Sequence, residues 1–487
     1  MKVLVVGSGL SAYGACIALL DKNKENKLKI DVIDIGLKNS NQIQNDYEVY
    51  NSKDYQGSFF PYGINDSKNS FKLYSKRICS SHAFGGFSKV YSGSILRPKS
   101  SDLIDWPEEA IPSTQDYERI FSSLDFEPPE NDLSDFFLRD IDLQKYNSQN
   151  STILGNSLIA FSRIIDKNGK SISIPFDSSI RFTQWEREKK IKYTNNSYLV
   201  KIKSNGGILI AVIKENNKLI KRKYNKIYLG SGCVNTTAIV DKSLFSKGSR
   251  VYSIKSVPSI FQLYLKLPFR NKKQYPLKDI NNNYKLCNFL LEHKSKFTSK
   301  YWTHTQIGPI NEIILKKLKD NSNKIFHKFF VIVCDMFLFS STVFHSDLGK
   351  KILLKSNLSY KINGSFKEQN IHIVEKENNL KIQNSIAVKF AVLKKIFDLA
   401  LLPIPFSNFL ANKLKGNKYG GWHYGGTIPF SSKYLENPFC KPSGQVEGLS
   451  NVFVIDSSSF PSIPGSTVAL LTMANAHRIA KNSLNNL

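Results

Sequence analysis

The sequence predicts an α/β protein in which a parallel sheet is interleaved with a largely antiparallel second domain. The first observation is the opening order of an apolar strand, a glycine turn, an apolar helix and another strand: Val3 to Val6, Gly7 to Gly9, Ala12 to Leu20 and Lys29 to Ile33. This order is typical of a parallel βαβ unit. The second observation is the alternation of apolar and polar residues from Tyr198 to Glu215, which indicates antiparallel strands.

Two later segments are predicted to return to the parallel sheet. An apolar strand, Lys226 to Leu229, runs into the glycines of Gly230-Ser-Gly232. Near the carboxyl terminus, the strand from Asn451 to Asp456 is followed by a proline-containing loop and by a helix predicted over Val468 to Asn482. A strand, loop and helix in this order would complete the sheet begun at the amino terminus, so the two domains are expected to alternate along the chain.

Chain length and composition favour two folded domains. At 487 residues the chain exceeds the size of one hydrophobic core. Hydrophobic residues make up 41% and charged residues 22%, which is ordinary for a globular protein and argues against extensive disorder. We assign residues 1–130, 198–245 and 416–487 to the parallel-sheet domain, 131–197 to a cap segment and 246–415 to the second domain.

The formal net charge of +28 is the compositional outlier. A basic surface is typical of proteins that bind nucleic acid, anionic membranes or acidic substrates. Here the lysines are scattered along the chain, with no basic stripe interleaved with aromatic residues and no nucleic-acid-binding motif. A solvated surface is therefore the first interpretation, anionic partners are the second, and no specific nucleic acid is predicted.

Cysteine spacing and the amino terminus indicate a cytoplasmic protein. The six cysteines are far apart and form no Cys-x-x-Cys pair, so neither a zinc site nor a disulfide framework is predicted. Reduced thiols are typical of the cytosol. The chain opens on the strand that begins at Lys2, which leaves no room for a secretory leader.

One apolar stretch raises the question of a membrane. It runs from Phe329 to Phe339, contains Asp335, and falls short of the ~20 residues that a membrane-spanning helix needs. Lysines precede it, so a weak contact with a membrane surface is one interpretation. We favour a buried element of the second domain.

The glycine turn after the first strand has the form Gly7-x-Gly9-x-x-Ala12, with Ser11 inside it and Gly14 two residues beyond. Small residues between a strand and a helix allow a pyrophosphate to approach the backbone N–H groups at the helix start. Asp34 ends the next strand, where a carboxylate can accept hydrogen bonds from both hydroxyls of an adenosine ribose. The alternative is a glycine turn in an unrelated α/β protein, and the motif alone does not separate FAD from NAD.

A second glycine-rich segment lies at Gly85-Gly86-Phe-Ser88 and continues to Trp106. Its small residues allow close passage beside a flat cofactor, although such loops are common. Together with Trp422-His423-Tyr-Gly-Gly-Thr427 and with Asp456 to Pro464, it resembles the glucose-methanol-choline (GMC) oxidoreductase family. The matching blocks cover about a quarter of the chain.

The resemblance implies a three-layer, Rossmann-like FAD-binding domain with an interleaved antiparallel-sheet substrate-binding domain. By this resemblance and the glycine motif, the cofactor-binding residues are Gly7, Gly9, Ser11, Ala12, Gly14, Asp34, Gly85, Gly86, Ser88, Asp456 and Val468. The family's active-site base corresponds to His423. Where the family has a second histidine or an asparagine, this sequence has Thr467.

Histidine chemistry supports a role for His423, because oxidation of an alcohol needs a group of near-neutral pKa to take the hydroxyl proton. A lone histidine in a glycine-rich loop is otherwise more often structural. Thr467 is too weak a base to replace an imidazole, and we interpret it as a positioning group. His477 is predicted to pack or to face solvent, and His82 is a minor candidate for covalent attachment of the flavin.

The predicted function is therefore FAD-dependent oxidation of the CH–OH group of a small-molecule alcohol. Sugars, sterols and other lipid or glycan intermediates are open as substrates, and oxygen, a quinone or a protein is open as electron acceptor. One alternative is a redox-neutral or decarboxylating flavoprotein of the same fold, which the residue at Thr467 favours. Another is a basic protein of nucleotide-binding fold that binds polyanions.

Overall fold

The structure is a computed structural model of the chain. It describes residues 1–25, 27–37, 62–63, 72–74, 80–89, 91, 93–126, 152–156, 158–165, 169, 171–205, 207–216, 218–266, 289–294, 301–309, 337–349, 351–360, 367–376, 401–403 and 423–484.

Five α-helices lie in the described residues: Leu10–Lys22 (α1), Thr114–Phe121 (α2), Ser178–Arg187 (α3), Cys233–Leu244 (α4) and Val468–Ser483 (α5). Short 3-10 helices cover Gly86–Lys89, Ser100–Leu103, Glu108–Ala110, Ser346–Leu348 and Ser457–Ser459. The described strands are Lys2–Val6 (β1), Lys29–Ile33 (β2), Tyr62–Gly63 (β3), Lys72–Tyr74 (β4), Ser80–Ser81 (β5), Ser94–Ile95 (β6), Asp125–Phe126 (β7), Thr152–Asn156 (β8), Leu158–Ile165 (β9), Ser171–Pro175 (β10), Lys192–Thr194 (β11), Ser197–Asn205 (β12), Ile208–Glu215 (β13), Lys218–Tyr224 (β14), Lys226–Leu229 (β15), Gly248–Ser256 (β16), Ser259–Lys266 (β17), Phe289–His293 (β18), Thr303–Pro309 (β19), Phe337–Val343 (β20), Lys351–Tyr360 (β21), Lys367–Lys376 (β22), Leu401–Pro403 (β23), Tyr424–Gly425 (β24) and Val452–Val454 (β25).

A five-stranded parallel sheet organises the first domain, in the order β11-β2-β1-β15-β25. β1 lies at its centre, paired in parallel with β2 on one side and β15 on the other. The central strand is apolar because both faces of the sheet are covered, and Val3, Leu4 and Val5 are fully buried. The predicted return of the chain to this sheet at β15 and β25 is confirmed.

The two longest helices pack against each other beside this sheet. A Cβ atom added to Gly14 of α1 would lie 2.2 Å from the backbone oxygen of Met473 in α5. Glycine is therefore required at position 14 for the two helix backbones to approach. His477 of α5 is also buried, and its Nδ1 lies 2.9 Å from Oδ1 of Asp116 in α2, so its role is in packing, as expected.

The antiparallel meander predicted after Tyr198 is confirmed as β12, β13 and β14, which form their own three-stranded sheet. β11 pairs in parallel with β2, although it lies in the 131–197 segment that the sequence assigns to the cap. The parallel sheet therefore takes a strand from that segment, and the domain boundaries themselves stay a prediction.

Antiparallel sheets dominate the region between residues 246 and 415. A six-stranded sheet has the order β23-β17-β20-β19-β18-β8, and a five-stranded sheet has the order β24-β16-β21-β22-β4. The end of the apolar Phe329–Phe339 stretch, residues 337–339, lies in β20; the rest of it lies outside the described residues. No helix among the described residues is long and apolar enough to cross a membrane.

Candidate active site

The first glycine turn leaves β1 at its carboxyl end and begins α1. Gly7 has φ of +103°, and a Cβ atom there would lie 2.4 Å from the backbone oxygen of Gly230 after β15, so position 7 requires glycine. Gly9 precedes the helix, and the atom nearest to a Cβ added there, the backbone oxygen of Gly85, is 3.9 Å away. Space is therefore left open beside Gly9 and not beside Gly7. Ser11 and Ala12 form the buried first turn of α1.

Ser8, between those glycines, connects three motif segments that are distant in sequence. Its Oγ donates to the carboxylate of Asp34 and accepts from the backbone N–H of Gly85 at 2.8 Å. Its carbonyl oxygen accepts from Oγ of Ser178 at 2.8 Å. The glycine turn, the end of β2 and the second glycine segment thus meet at one point, as the predicted cofactor site requires.

Asp34 lies at the end of β2, facing this junction. Burial raises the pKa of its carboxyl to about 6, against the hydrogen bond from Ser8 and the charge of His82, which lower it. His82 is buried next to Asp34. If Asp34 holds an adenosine ribose, His82 lies at that end of the cofactor, which argues against it as a flavin attachment point.

The second glycine segment packs directly against the first. A Cβ atom added to Gly86 would lie 3.3 Å from the Cα of Gly9. The fully buried Ser88 closes the segment, because its Oγ donates to the carbonyl of Gly85 at 2.7 Å and accepts from the N–H of Ser178 at 3.1 Å. Ser88 therefore shapes the backbone of this segment.

Whether a helix start has a side-chain cap depends on where the helix lies in the fold. Ser113 and Asp177 cap α2 and α3 with side-chain hydrogen bonds. The three helices that follow strands of the parallel sheet, α1, α4 and α5, begin at Gly9, Gly232 and Thr467 with no such bond. A helix start without an N-cap side-chain bond favours an anion, and at α4 the N–H of Gly232 already donates to the carboxylate of Asp456. Val468 is the first residue of α5.

The segment from His423 to Phe430 is held by the turn that follows β25. Backbone N–H groups of Gly426, Ile428 and Phe430 donate to the carbonyls of residues 457, 458 and 459, each at 2.8 Å. On its other side, the N–H of Val257 donates to the carbonyl of His423 at 3.0 Å. The two carboxyl-terminal motif blocks are thus one structural unit, with His423 at its edge against the antiparallel domain.

Asp456 holds that turn in place. One carboxylate oxygen accepts from the N–H of Gly232 at 2.9 Å and from Oγ1 of Thr236, and the other accepts from the N–H and Oγ of Ser458. Burial raises its pKa, although these donors lower it. Four protein donors occupy the carboxylate, so its geometry is that of an anchor between α4 and the His423 segment, and contact with a flavin stays a prediction.

Several buried polar groups lack hydrogen-bond partners among the described residues. One is Oγ1 of Thr467, at the start of α5. Another is His304 in β19, in which neither ring nitrogen has a partner. Reasoning from sequence missed His304, because a lone histidine between two threonines carries no motif. No group of described residues has the composition and spacing of a metal site.

Comparison with known proteins agrees with this arrangement. Residues 393–476, which include His423, Asp456 and Thr467, match the family model described as GMC oxidoreductase. The matched segment covers the carboxyl-terminal part of the chain, and this similarity supports an oxidoreductase that acts on a CH–OH group.

The fold of this chain is similar to that of a solved oxidase. The crystal structure of pyridoxine 4-oxidase from Mesorbium loti superposes with a TM-score of 0.57 over 99% of this chain and 98% of the other, at 9% sequence identity. Identity this low shows a shared fold only. Among curated protein sequences, none matches this chain.

Proposed function

We propose that this protein is a GMC oxidoreductase that binds FAD and oxidises an alcohol, with His423 as the base that takes the hydroxyl proton. The observation that carries the proposal is the convergence of Ser8, Asp34 and Gly85 at the carboxyl end of the parallel sheet, in the same fold that holds the His423 segment. Substrate identity and electron acceptor are open.

The residues present fit FAD. Asp34 offers a carboxylate at the end of β2 for the ribose hydroxyls, and no N-cap side chain bonds the start of α1, where phosphates would gain from the N–H groups of the helix. A Cβ atom added to Gly232 would meet nothing within 4 Å, so open space lies beside the α4 start. Ser11, Gly86 and Ser88 would shape the walls of the same site, and Val468 would adjoin it.

FAD supplies the acceptor for the hydride that leaves the carbinol carbon. The protein's part is to place the alcohol and to move its proton. His423 would accept the hydroxyl proton, because a neutral imidazole is a base of suitable strength at neutral pH. Asp456 would keep His423 in place through the turn at residues 457–459, and Thr467 would position the substrate by a hydrogen bond.

The first test is the visible spectrum of the purified protein. We expect the visible absorption bands of an oxidised flavin, and release of FAD on heating or in acid. Chromatography of the released material distinguishes FAD from FMN and NAD. A colourless protein that also fails to take up added FAD would contradict the proposal and favour a binding protein of nucleotide fold.

A further inference from the structure

His304 has a buried imidazole ring, and no hydrogen bond among the described residues accounts for its burial. Its side chain is 1% exposed, and both Nδ1 and Nε2 lack partners among the described residues. Burial of an unpaired polar group costs stability, so such a group in a folded protein needs a reason. A ligand that supplies the missing hydrogen bond is one such reason.

The neighbouring buried histidine, His345, shows what a structural role looks like. Its ring stacks on Tyr301, with centroids 3.5 Å apart, and its Nδ1 accepts from the N–H of Asp347 at 3.3 Å. His304 has neither a described ring partner nor a hydrogen bond. The two histidines differ because the ring of His345 is stacked and one of its nitrogens is bonded, although its Nε2, like both nitrogens of His304, lacks a hydrogen-bond partner among the described residues.

Strand register places His304 in a row that leads to His423. In three successive pairs, Glu292 lies opposite His304, His304 opposite Val343, and Val343 opposite Ser259. Residues directly opposite each other point to the same face of a sheet. Two residues before Ser259, the N–H of Val257 donates to the carbonyl of His423. The His423 segment thus adjoins the end of the row that contains His304.

The same face of the sheet meets the second glycine-rich motif block. Nε2 of Gln306, two residues from His304 on the same face, donates to Oγ of Ser94 at 2.6 Å. Nζ of Lys99 lies 3.0 Å from Oε2 of Glu292, the residue opposite His304. His304 therefore faces the space between the antiparallel sheet and two family motifs, and Lys99 already has a carboxylate partner.

Electrostatics keep this imidazole neutral. Burial, together with the charges of His423 and Lys99, lowers the pKa of His304 to about 3. A neutral imidazole has one N–H donor and one nitrogen acceptor. It can therefore donate to a substrate oxygen without competing with His423 for the proton.

We propose that His304 is a substrate-binding group of the alcohol site, whose N–H donates a hydrogen bond to the oxygen that loses its proton to His423. This inference rests on the proposed function. As the O–H bond breaks, its proton goes to His423; as the C–H bond breaks, its electron pair and hydrogen go to FAD; a C=O bond forms. The donor from His304 stabilises the negative charge that develops on the oxygen.

The test compares three variants of the FAD-loaded protein. His304→Leu removes both ring nitrogens, His304→Asn keeps one donor, and Thr305→Val changes the next residue of β19, whose Oγ1 lies 3.0 Å from that of Thr342 on the opposite face. The probe is whichever of pyridoxine, benzyl alcohol, glucose and cholesterol reduces the parent flavin fastest without oxygen. We expect the limiting rate of reduction to fall by about 10² to 10³ in His304→Leu, to recover in part in His304→Asn, and to stay near the parent in Thr305→Val.

Unfolding temperature gives a second readout that needs no substrate. If His304 is kept for a ligand, His304→Leu removes an unpaired polar group and unfolds at or above the temperature of the parent. A structural role predicts the opposite, a clear loss of stability in His304→Leu. Either that loss or reduction of His304→Leu at the parent's rate overturns the inference. If no alcohol reduces a parent that holds FAD, the proposed function fails, and the unfolding temperatures still decide whether His304 is structural.

Discussion

Asp34 is a single residue whose position in the fold suits it to bind the ribose of a cofactor. Its position is set by β2, and one of its oxygens is bound to Ser8, which is itself bound to Gly85. Burial raises its pKa to about 6, against the hydrogen bond from Ser8 and the charge of His82, so the carboxylate is largely ionised at neutral pH. A ribose with two hydroxyl donors would satisfy it.

Replacing Asp34 therefore tests the ribose contact. Charge-assisted hydrogen bonds contribute about 1.5 to 3 kcal/mol, so Asp34→Ala should weaken FAD binding by about one to two decades, measured by equilibrium titration of the FAD-free protein. Because FAD binds the ionised carboxylate, affinity should be constant above pH about 6 and should fall below it, by at most tenfold for each pH unit. Asp31→Asn, three residues earlier on β2, is the control. Unchanged affinity in Asp34→Ala would place the ribose elsewhere.

Among single residues, those within a recognisable motif could be proposed from the sequence, whereas residues outside any motif could not. Asp34 was predicted because it ends a strand beside a glycine turn, and His423 because its segment resembles a family motif; both roles stay predictions. His304 has no local signal, since its importance depends on the register of β19 with β18 and β20. The four donors to Asp456 come from the starts of α4 and of the turn after β25, which sequence spacing does not bring together.

The glycines of the first motif have two roles: Gly14 allows two helices to pack closely, and Gly9 leaves open space beside the start of α1. A Cβ atom at Gly14 would overlap the backbone of Met473, whereas a Cβ atom at Gly9 would meet no atom closer than 3.9 Å. The sequence predicted β1, α1 and β2 almost residue for residue, because their pattern is local. It did not predict β11 in the parallel sheet, because a three-residue strand after α3 has no pattern of its own.

The two glycines should therefore respond differently to alanine. Gly14→Ala should lower the stability of the whole protein, because α1 and α5 must separate to admit the methyl group; overpacking of this kind costs about 1 to 3 kcal/mol or more. Gly9→Ala should keep parental stability in FAD-free protein but lose FAD affinity. Denaturant unfolding and FAD titration of both variants measure this. Equal losses of stability in the two variants would contradict the assignment of roles.

The protein as a whole carries a formal net charge of +28. Part of it lies on the meander, where Lys218, Lys221 and Lys223 of β14 are exposed to solvent. They belong to no recognition element for nucleic acid. We interpret the charge as solvated surface, and a cytoplasmic location and the absence of a specific polyanion partner stay predictions.

Binding to duplex DNA is the corresponding test. Contacts of scattered lysines with phosphates should give weak binding that is lost as salt rises, because affinity then depends on counterion release. Fluorescence anisotropy with a labelled duplex, at low and at physiological salt, measures both quantities. Submicromolar affinity that persists at physiological salt would show that the basic surface has a polyanion partner.

His423 alone is proposed to take the proton of the alcohol. Anaerobic reduction of the flavin tests this role most directly. General-base catalysis is worth about 10² to 10⁴ in rate, so His423→Ala should slow reduction of its bound flavin by a factor in that range, at unchanged FAD content. Thr467→Ala, which removes at most one neutral hydrogen bond of about 0.5 to 1.5 kcal/mol, should slow it by about tenfold or less. A His423→Ala protein that is reduced as fast as the parent would contradict the account.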